Sequence, residues 1–151
     1  MTINLFLFLR MLKVTCAIII HKNKILITQR GAGSDHPLQW EFPGGKIKQG
    51  ESAEDCIKRE IKEELDVGIE IILKMIPVVH DYGFKKIRLI PFLCSIKTGE
   101  LKLNEHVDFN WVLTKEIEKI NFSEADRKLS RQKQNRQILQ KYIGEKIDNP
   151  G

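Results

Sequence analysis

The segment GGKIKQGESAEDCIKREIKEELDV, from Gly44 to Val67, opens in a glycine turn and closes in a knot of carboxylates. Ser52 followed three residues later by Asp55 is a capping-box signature, so a helix is expected to begin near Ala53. On that helix Glu60, Glu63 and Glu64 follow the i, i+3, i+4 spacing and fall within one arc of about 100°. Lys58 and Lys62 point the other way, while Ile57, Ile61 and Leu65 lie just beside the acidic stripe. The carboxylates therefore border the buried face.

That arrangement is locally unfavourable. Like charges at i, i+4 repel, and anions near a helix C-terminus oppose its macrodipole, by roughly a few tenths of a kcal/mol each when exposed. Arg59, four residues before Glu63, can neutralise one carboxylate, which leaves an oxygen-rich cluster suited to hard divalent cations, magnesium first. Pro43, Gly44 and Gly45 allow a tight turn whose backbone approaches a ligand closely, with a bare carbonyl to add one more oxygen. An ordinary surface helix with interleaved Glu, Lys and Arg is the competing reading of the acidic run alone. The preceding turn favours the metal platform.

Outward from this unit, Val14 to Ile20 and Ile25 to Arg30 form a β-branched hairpin, and Gly31 to Leu38 an irregular loop. Trp40 to Phe42 make a short apolar return. Ile69 to Tyr82 and Lys86 to Ile96 have the composition of longer strands, which Pro77 and Pro91 confine to edges or bulges. Lys97 to Glu100 turn the chain. After Asp108 to Val112 the pattern becomes helical, with Thr114 and Ser123 as expected N-caps of two helices. Strands, helix, strands and helices in that order predict an α+β sandwich on a mixed sheet.

The 151 residues suit one domain, taken as 1–151, with residues 1–10 either an upstream start-site extension before Met11 or an extra strand. Composition is that of a globular protein, with 42% hydrophobic and 30% charged residues and no fixed-period repeat. The apolar N-terminus is too short to span a bilayer and lacks the features of a secretory signal, so no membrane partner and a cytoplasmic location are expected. Cys16, Cys56 and Cys94 stand far apart among apolar neighbours and are expected to be reduced core residues. The net charge of +5 is concentrated between Arg127 and Lys141. It makes polyanions plausible partners, although a solvated helix face is the ordinary explanation and nucleic acid is not an obligatory one.

The order Gly45, five residues, Glu51, seven residues, Arg59-Glu60-Ile61, one residue, Glu63-Glu64, then Val67 resembles the Nudix box of the Nudix hydrolases. Trp40 to Ser52 resembles more narrowly the MutT branch, and the element order from about Val14 to Tyr142 is similar to the family's α/β/α sandwich. One position departs, because Asp66 stands where the family usually has glycine. Asp tolerates the left-handed conformation better than most residues, and Gly68 is expected to share the task.

The resemblance implies hydrolysis of a nucleoside triphosphate to monophosphate and pyrophosphate, with magnesium, or manganese as the alternative, as cofactor. It further implies Gly44 (through its carbonyl), Glu60, Glu63, Glu64 and Glu105 as metal ligands, Arg59 as their orienter and Glu51 as a supporting carboxylate. Glu60 and Glu105 are both candidates for the general base. His106 stays outside the catalytic set, since a lone loop histidine is more often structural or solvated. Arg30 and Lys46 would face the phosphates, Phe42 the base, and Asp126 the base edge, although Asp126 could equally complete a capping box with Ser123. An ionised Asp126 only accepts hydrogen bonds, which suits an amino-bearing base such as cytosine, whereas oxidised guanine fits through its ring N–H groups or a protonated Asp. Two nucleotide-pool sanitising substrates therefore stay open, 8-oxo-dGTP and CTP or a modified dCTP. Other classes are a Nudix hydrolase of dinucleoside polyphosphates, ADP-ribose or 5′-triphosphate RNA, and a non-catalytic nucleotide- or nucleic-acid-binding regulator.

Overall fold

A computed structural model describes residues 11–144, so the question over residues 1–10 lies outside the described residues. The strands are β1 (Met11–His21), β2 (Lys24–Gln29), β3 (Trp40–Glu41), β4 (Gly44–Lys46), β5 (Gly68–Lys74), β6 (Val78–Asp81), β7 (Lys86–Thr98) and β8 (Asp108–Val112). The helices are α1 (Ala53–Leu65), α2 (Glu124–Arg131) and α3 (Lys133–Ile143), with a 3₁₀ turn at Thr114–Lys119.

β1 organises the sheet. It runs parallel to β7 from Met11 to Ile19, antiparallel to β4 through Val14 and Cys16, and turns into β2 at Ile20 and His21. Side chains alternate across a strand, so Cys16 and Ile18 join Ile27, Leu93, Leu129 and Leu139 on one face. Ala17 and Ile19 join Leu26, Phe92, Ile57 and Ile61 on the other. The apolar stripe of α1 thus covers one face of a mixed sheet, and α2 with α3 covers the opposite one. This is the α/β/α sandwich of the α+β class.

The structure corrects three local expectations. Ile69 to Tyr82 is two strands, β5 and β6, interrupted between Met75 and Pro77, and both pair with β7. Pro91, expected at an edge or a bulge, lies inside β7, between β1 and those two strands, so the edge alternative falls. Its carbonyl accepts from the Met75 N–H at 2.9 Å. The N and O of a strand residue face the same side, so the missing donor falls where β5 gives way to β6. Third, the turn before α2 is capped at Leu113, whose N–H is bound by the Glu116 carboxylate at 3.0 Å, and Thr114 is its first residue.

Gly44 shows how closely the glycine turn is held. A Cβ there would fall on the Thr15 carbonyl oxygen and 2.7 Å from the Cys16 Cα, both backbone of β1. Backbone atoms in a central strand cannot swing aside. Gly44→Ala is therefore expected to lower unfolding stability by about 3 kcal/mol, seen as a lower denaturant midpoint with an unchanged slope.

Candidate active site

Local chemistry sets both ends of α1. The Ser52 hydroxyl accepts the Asp55 N–H at 3.1 Å and opens the helix. Asp66 closes it in the left-handed conformation at φ 58°, with its N–H donating to the Lys62 carbonyl at 3.1 Å. Asp66 alone supplies the positive φ at this end, and Gly68 is free to begin β5. The last carbonyls of the helix meet the chain that follows β7. Lys102 N–H donates to Leu65 O at 2.9 Å, and Asn104 donates to Glu64 O at 3.0 Å and, through its side chain, to Glu63 O at 2.8 Å. Satisfying these otherwise orphaned carbonyls places Glu105 close enough for its charge to act on Glu64.

Arg59 is the hub of the exposed part. Its Nε and Nη2 grip Glu51 at 2.7 and 2.9 Å, its Nη1 reaches Glu60 at 2.9 Å and Glu63 at 3.2 Å, and its Nη2 also donates to Lys46 O at 3.2 Å. The Arg59 guanidinium, helped by the Lys48 N–H, holds the Glu51 carboxyl at about 2. Gly45 leaves room for this cluster, since a Cβ there would lie 2.5 Å from both Glu60 oxygens.

Glu64 is different, being buried, with Oε2 lacking a hydrogen-bond partner among the described residues. Burial, then the charges of Glu60, Glu105 and Glu41, push its carboxyl up to about 9, against a backbone hydrogen bond from Gly44. Ala17 N–H donates to Pro43 O, so the next pair, Cys16 with Gly44, is the one that exchanges no bonds in this antiparallel ladder. The Gly44 N–H and carbonyl consequently turn away from β1, and the N–H reaches Glu64.

A cavity of about 110 Å³ adjoins this cluster, lined among others by Arg30, Glu41, Phe42, Gly44, Tyr82 and Asp126. The start of α2 is fixed to β3, with Trp40 N–H donating to Asn121 O and Ser123 N–H to Trp40 O, each at 2.8 Å. Asp126 is thereby delivered to the Phe42 N–H, which it accepts at 3.1 Å, and its carboxylate does not cap α2. Burial and the nearby Glu41 raise the Asp126 carboxyl well above its ordinary range, opposed by the Phe42 N–H and Arg30. Burial likewise lifts Glu41 to about 7 despite Arg30 at 3.3 Å.

Residues 10–133 match the NUDIX domain family. The chain belongs to the Nudix family. It is 35% identical over 109 residues to the 8-oxo-dGTP diphosphatase of Buchnera aphidicola subsp. Schizaphis graminum, covering 72% of this chain and 82% of that protein. It is 33% identical over 120 residues to the CTP pyrophosphohydrolase of Escherichia coli K12, covering 78% and 87% respectively. In fold it resembles the crystal structure of a MutT protein from Methanosarcina mazei Go1, with TM-score 0.75 at 23% identity over 85% of this chain and 95% of that one. This is a Nudix hydrolase with MutT-like relatives, and Nudix hydrolases work with a divalent metal.

The Nudix box fits such a cation without presenting a finished cage. Among the described residues no three His, Cys, Asp or Glu side chains converge as a ready-made site, and Arg59 engages Glu60 and Glu63. Yet the donors are all oxygen, and the unpartnered buried oxygen of Glu64 beside other carboxylates is what a hard cation stabilises.

Of the residues singled out from the sequence, the structure gathers Glu51, Arg59, Glu60 and Glu63 around one guanidinium, sets Glu64 and Glu105 beside them, and gathers Arg30, Phe42, Gly44 and Asp126 around the cavity. Lys46 falls outside the cavity, with its side chain exposed and its carbonyl bound to Arg59. Phe42 is also core, edge-on to Phe122 with ring centroids 5.0 Å apart. His106 is half-buried, and burial followed by the Arg30 charge keeps its imidazole below the usual range. Glu41 is a charged pocket residue that sequence reasoning missed. Its signal is a lone carboxylate between two aromatic residues on a strand. The three cysteines are free and buried, and no helix among the described residues is long and apolar enough to cross a membrane.

Proposed function

We propose that this Nudix hydrolase is a single-domain, cytoplasmic, magnesium-dependent nucleoside triphosphate diphosphatase that releases a monophosphate and pyrophosphate, with 8-oxo-dGTP or CTP and modified dCTP as its substrates. The observation that carries this reading is the double role of Gly44, which lines the cavity and also contacts Glu64 through its N–H. The carboxylate cluster and a base-reading carboxyl thus meet at one turn. In this reading the Gly44 carbonyl, Glu60, Glu63, Glu64 and Glu105 hold magnesium, and manganese is the natural substitute. When bound, the ion supplies positive charge to offset the phosphates and the leaving pyrophosphate. Arg59 and Glu51 fix the directions of Glu60 and Glu63. Glu60 or Glu105 takes the proton of the attacking water. Arg30 and Lys46 face the phosphates, Phe42 borders the base, and Asp126 reads the base edge while anchored to the Phe42 N–H.

The test is a panel of nucleotides incubated with the protein and magnesium, with products identified. Pyrophosphate plus a monophosphate is expected. Orthophosphate release excludes the proposed bond, and silence across the panel favours a binding protein. The same panel, repeated across pH, examines Asp126. A protonated Asp126 donates a hydrogen bond and an ionised one only accepts, so wild-type preference should move toward amino-bearing bases as pH rises. Asp126→Asn retains both a donor and an acceptor at every pH. Its preference should stay fixed and differ from the wild type by about ten- to a hundred-fold at the alkaline end. Identical pH responses in the two proteins would remove Asp126 from base reading.

A further inference from the structure

Two further cavities adjoin α2 and share no lining residue with the nucleotide cavity. The first, about 540 Å³, is bordered by Lys115, Glu118, Arg131 and Arg136. The second, about 470 Å³, is bordered by Glu124, Arg127, Lys128 and Arg131. Arg131 borders both, so they join into one furrow across the junction of α2 and α3. Helical spacing puts Arg127 and Arg131 on one face of α2, while Asp126, Leu129 and Ser130 lie on its buried face.

Five basic side chains in this furrow stand against two carboxylates, a surplus of three positive charges in a chain whose net charge is +5. Among the described residues Glu118 pairs with Arg131 at 2.5 Å and Arg127 at 3.5 Å, Arg127 also donates to Ile117 O and Ile120 O, and Lys128 donates to Val79 O, whereas no ion pair engages Lys115 or Arg136, which with Arg131 are the charges left to a ligand. A convex solvated helix face has no reason to enclose such charges around a concave surface. No Phe, Tyr or Trp borders the furrow, and the His80 ring that does is packed edge-on against Tyr82, so stacked bases find little platform. Charge distributed along two joined cavities matches a run of phosphates better than one compact anion, and backbone contacts of this kind carry no sequence preference.

We propose that this furrow binds a chain of linked phosphates, as in the backbone of a single-stranded nucleic acid or in inorganic polyphosphate. α2 then serves two sites at once, presenting Asp126 to the nucleotide cavity and Arg131 to the polyanion. Binding releases counterions, so affinity falls steeply with salt, by about 0.7 in the log–log slope for each phosphate neutralised on a single strand.

Fluorescence anisotropy of a labelled oligothymidylate with the whole protein, in chelator to prevent hydrolysis, tests this directly. The wild type should bind with a strong salt dependence. Lys115→Ala with Arg136→Ala should weaken binding about ten-fold at low salt and flatten the slope by about 1.4, leaving nucleotide hydrolysis unchanged. Glu118→Gln frees Arg131 from its carboxylate and should tighten binding, a gain that loss of structure does not produce. Displacement of the probe by inorganic polyphosphate assigns linked phosphates in general, and resistance to it assigns the nucleic acid strand. Equal binding by wild type and variants overturns the proposal. Neither readout depends on turnover, so the outcome is independent of the diphosphatase reading.

Discussion

Glu64→Gln is expected to lower turnover by about a thousand-fold while leaving the metal-free protein at least as stable as the wild type. The expectation rests on a carboxyl that is costly to ionise where it sits. It is buried, one oxygen has no partner among the described residues, and burial together with Glu60, Glu105 and Glu41 lifts it to about 9. A glutamine has nearly the same shape and no charge to desolvate, so the folded chain loses a penalty and keeps its packing. What it loses is the anionic donor for a cation. Because the folded-state value lies above the unfolded one of about 4.5, this group favours the fold fully at acidic pH. That contribution drains away as pH rises from about 4.5 to about 9. Metal-free wild type should therefore melt at progressively lower temperature over that interval, and the variant should show a shallower decline. Magnesium should raise the wild-type midpoint and leave the variant's unmoved. A variant that melts earlier than wild type without metal, or that still responds to magnesium, would show Glu64 to be a packing residue.

The contrast between Glu64 and Glu63 marks what the sequence makes legible. Helical spacing alone places Glu60, Glu63 and Glu64 on one arc, and Ser52 and Asp66 mark the ends of α1 where the structure has them. Spacing says nothing of depth. Glu63 is half exposed and tied to Arg59, while Glu64 is buried, with the Gly44 N–H on its carboxyl and Asn104 on its backbone carbonyl. Those contacts join residues about twenty and about forty positions apart, so no local pattern carries them. The pocket repeats the lesson. Ser123 and Asp126 have the spacing of a capping box, and only the bonding of Trp40 to Asn121 and Ser123 reveals that Asp126 is spent on Phe42 instead. Pro91 likewise marks an edge or a bulge alike in the sequence, and only the break in its neighbour rules out the edge.

Arg59→Lys, a substitution that conserves charge, should cost about a hundred-fold in turnover and raise the magnesium concentration needed for half-maximal rate. Arg59 works as a bridge. Two nitrogens of its fork hold Glu51, a third position serves Glu60 and Glu63, and Lys46 O takes a further N–H. A lysine ammonium is a single point with three donors and cannot stand at both ends of that span. It can neutralise one carboxylate and must release the others, which then repel each other and lose their directions. If Arg59 acts by orienting carboxylates, kcat and the magnesium dependence change while KM for the nucleotide stays near the wild-type value. If Arg59 instead grips the substrate, KM rises and the magnesium curve keeps its midpoint. The bridge should also hold well into acid, because the Glu51 carboxyl is held at about 2 and this ion pair is lost only as pH falls toward that value. Any loss of wild-type activity between neutrality and about pH 4 must then come from groups other than Glu51. A lysine variant with wild-type kcat and an unshifted magnesium curve would mean that the carboxylates find their places without the fork, and that the density of contacts around Arg59 is stability alone.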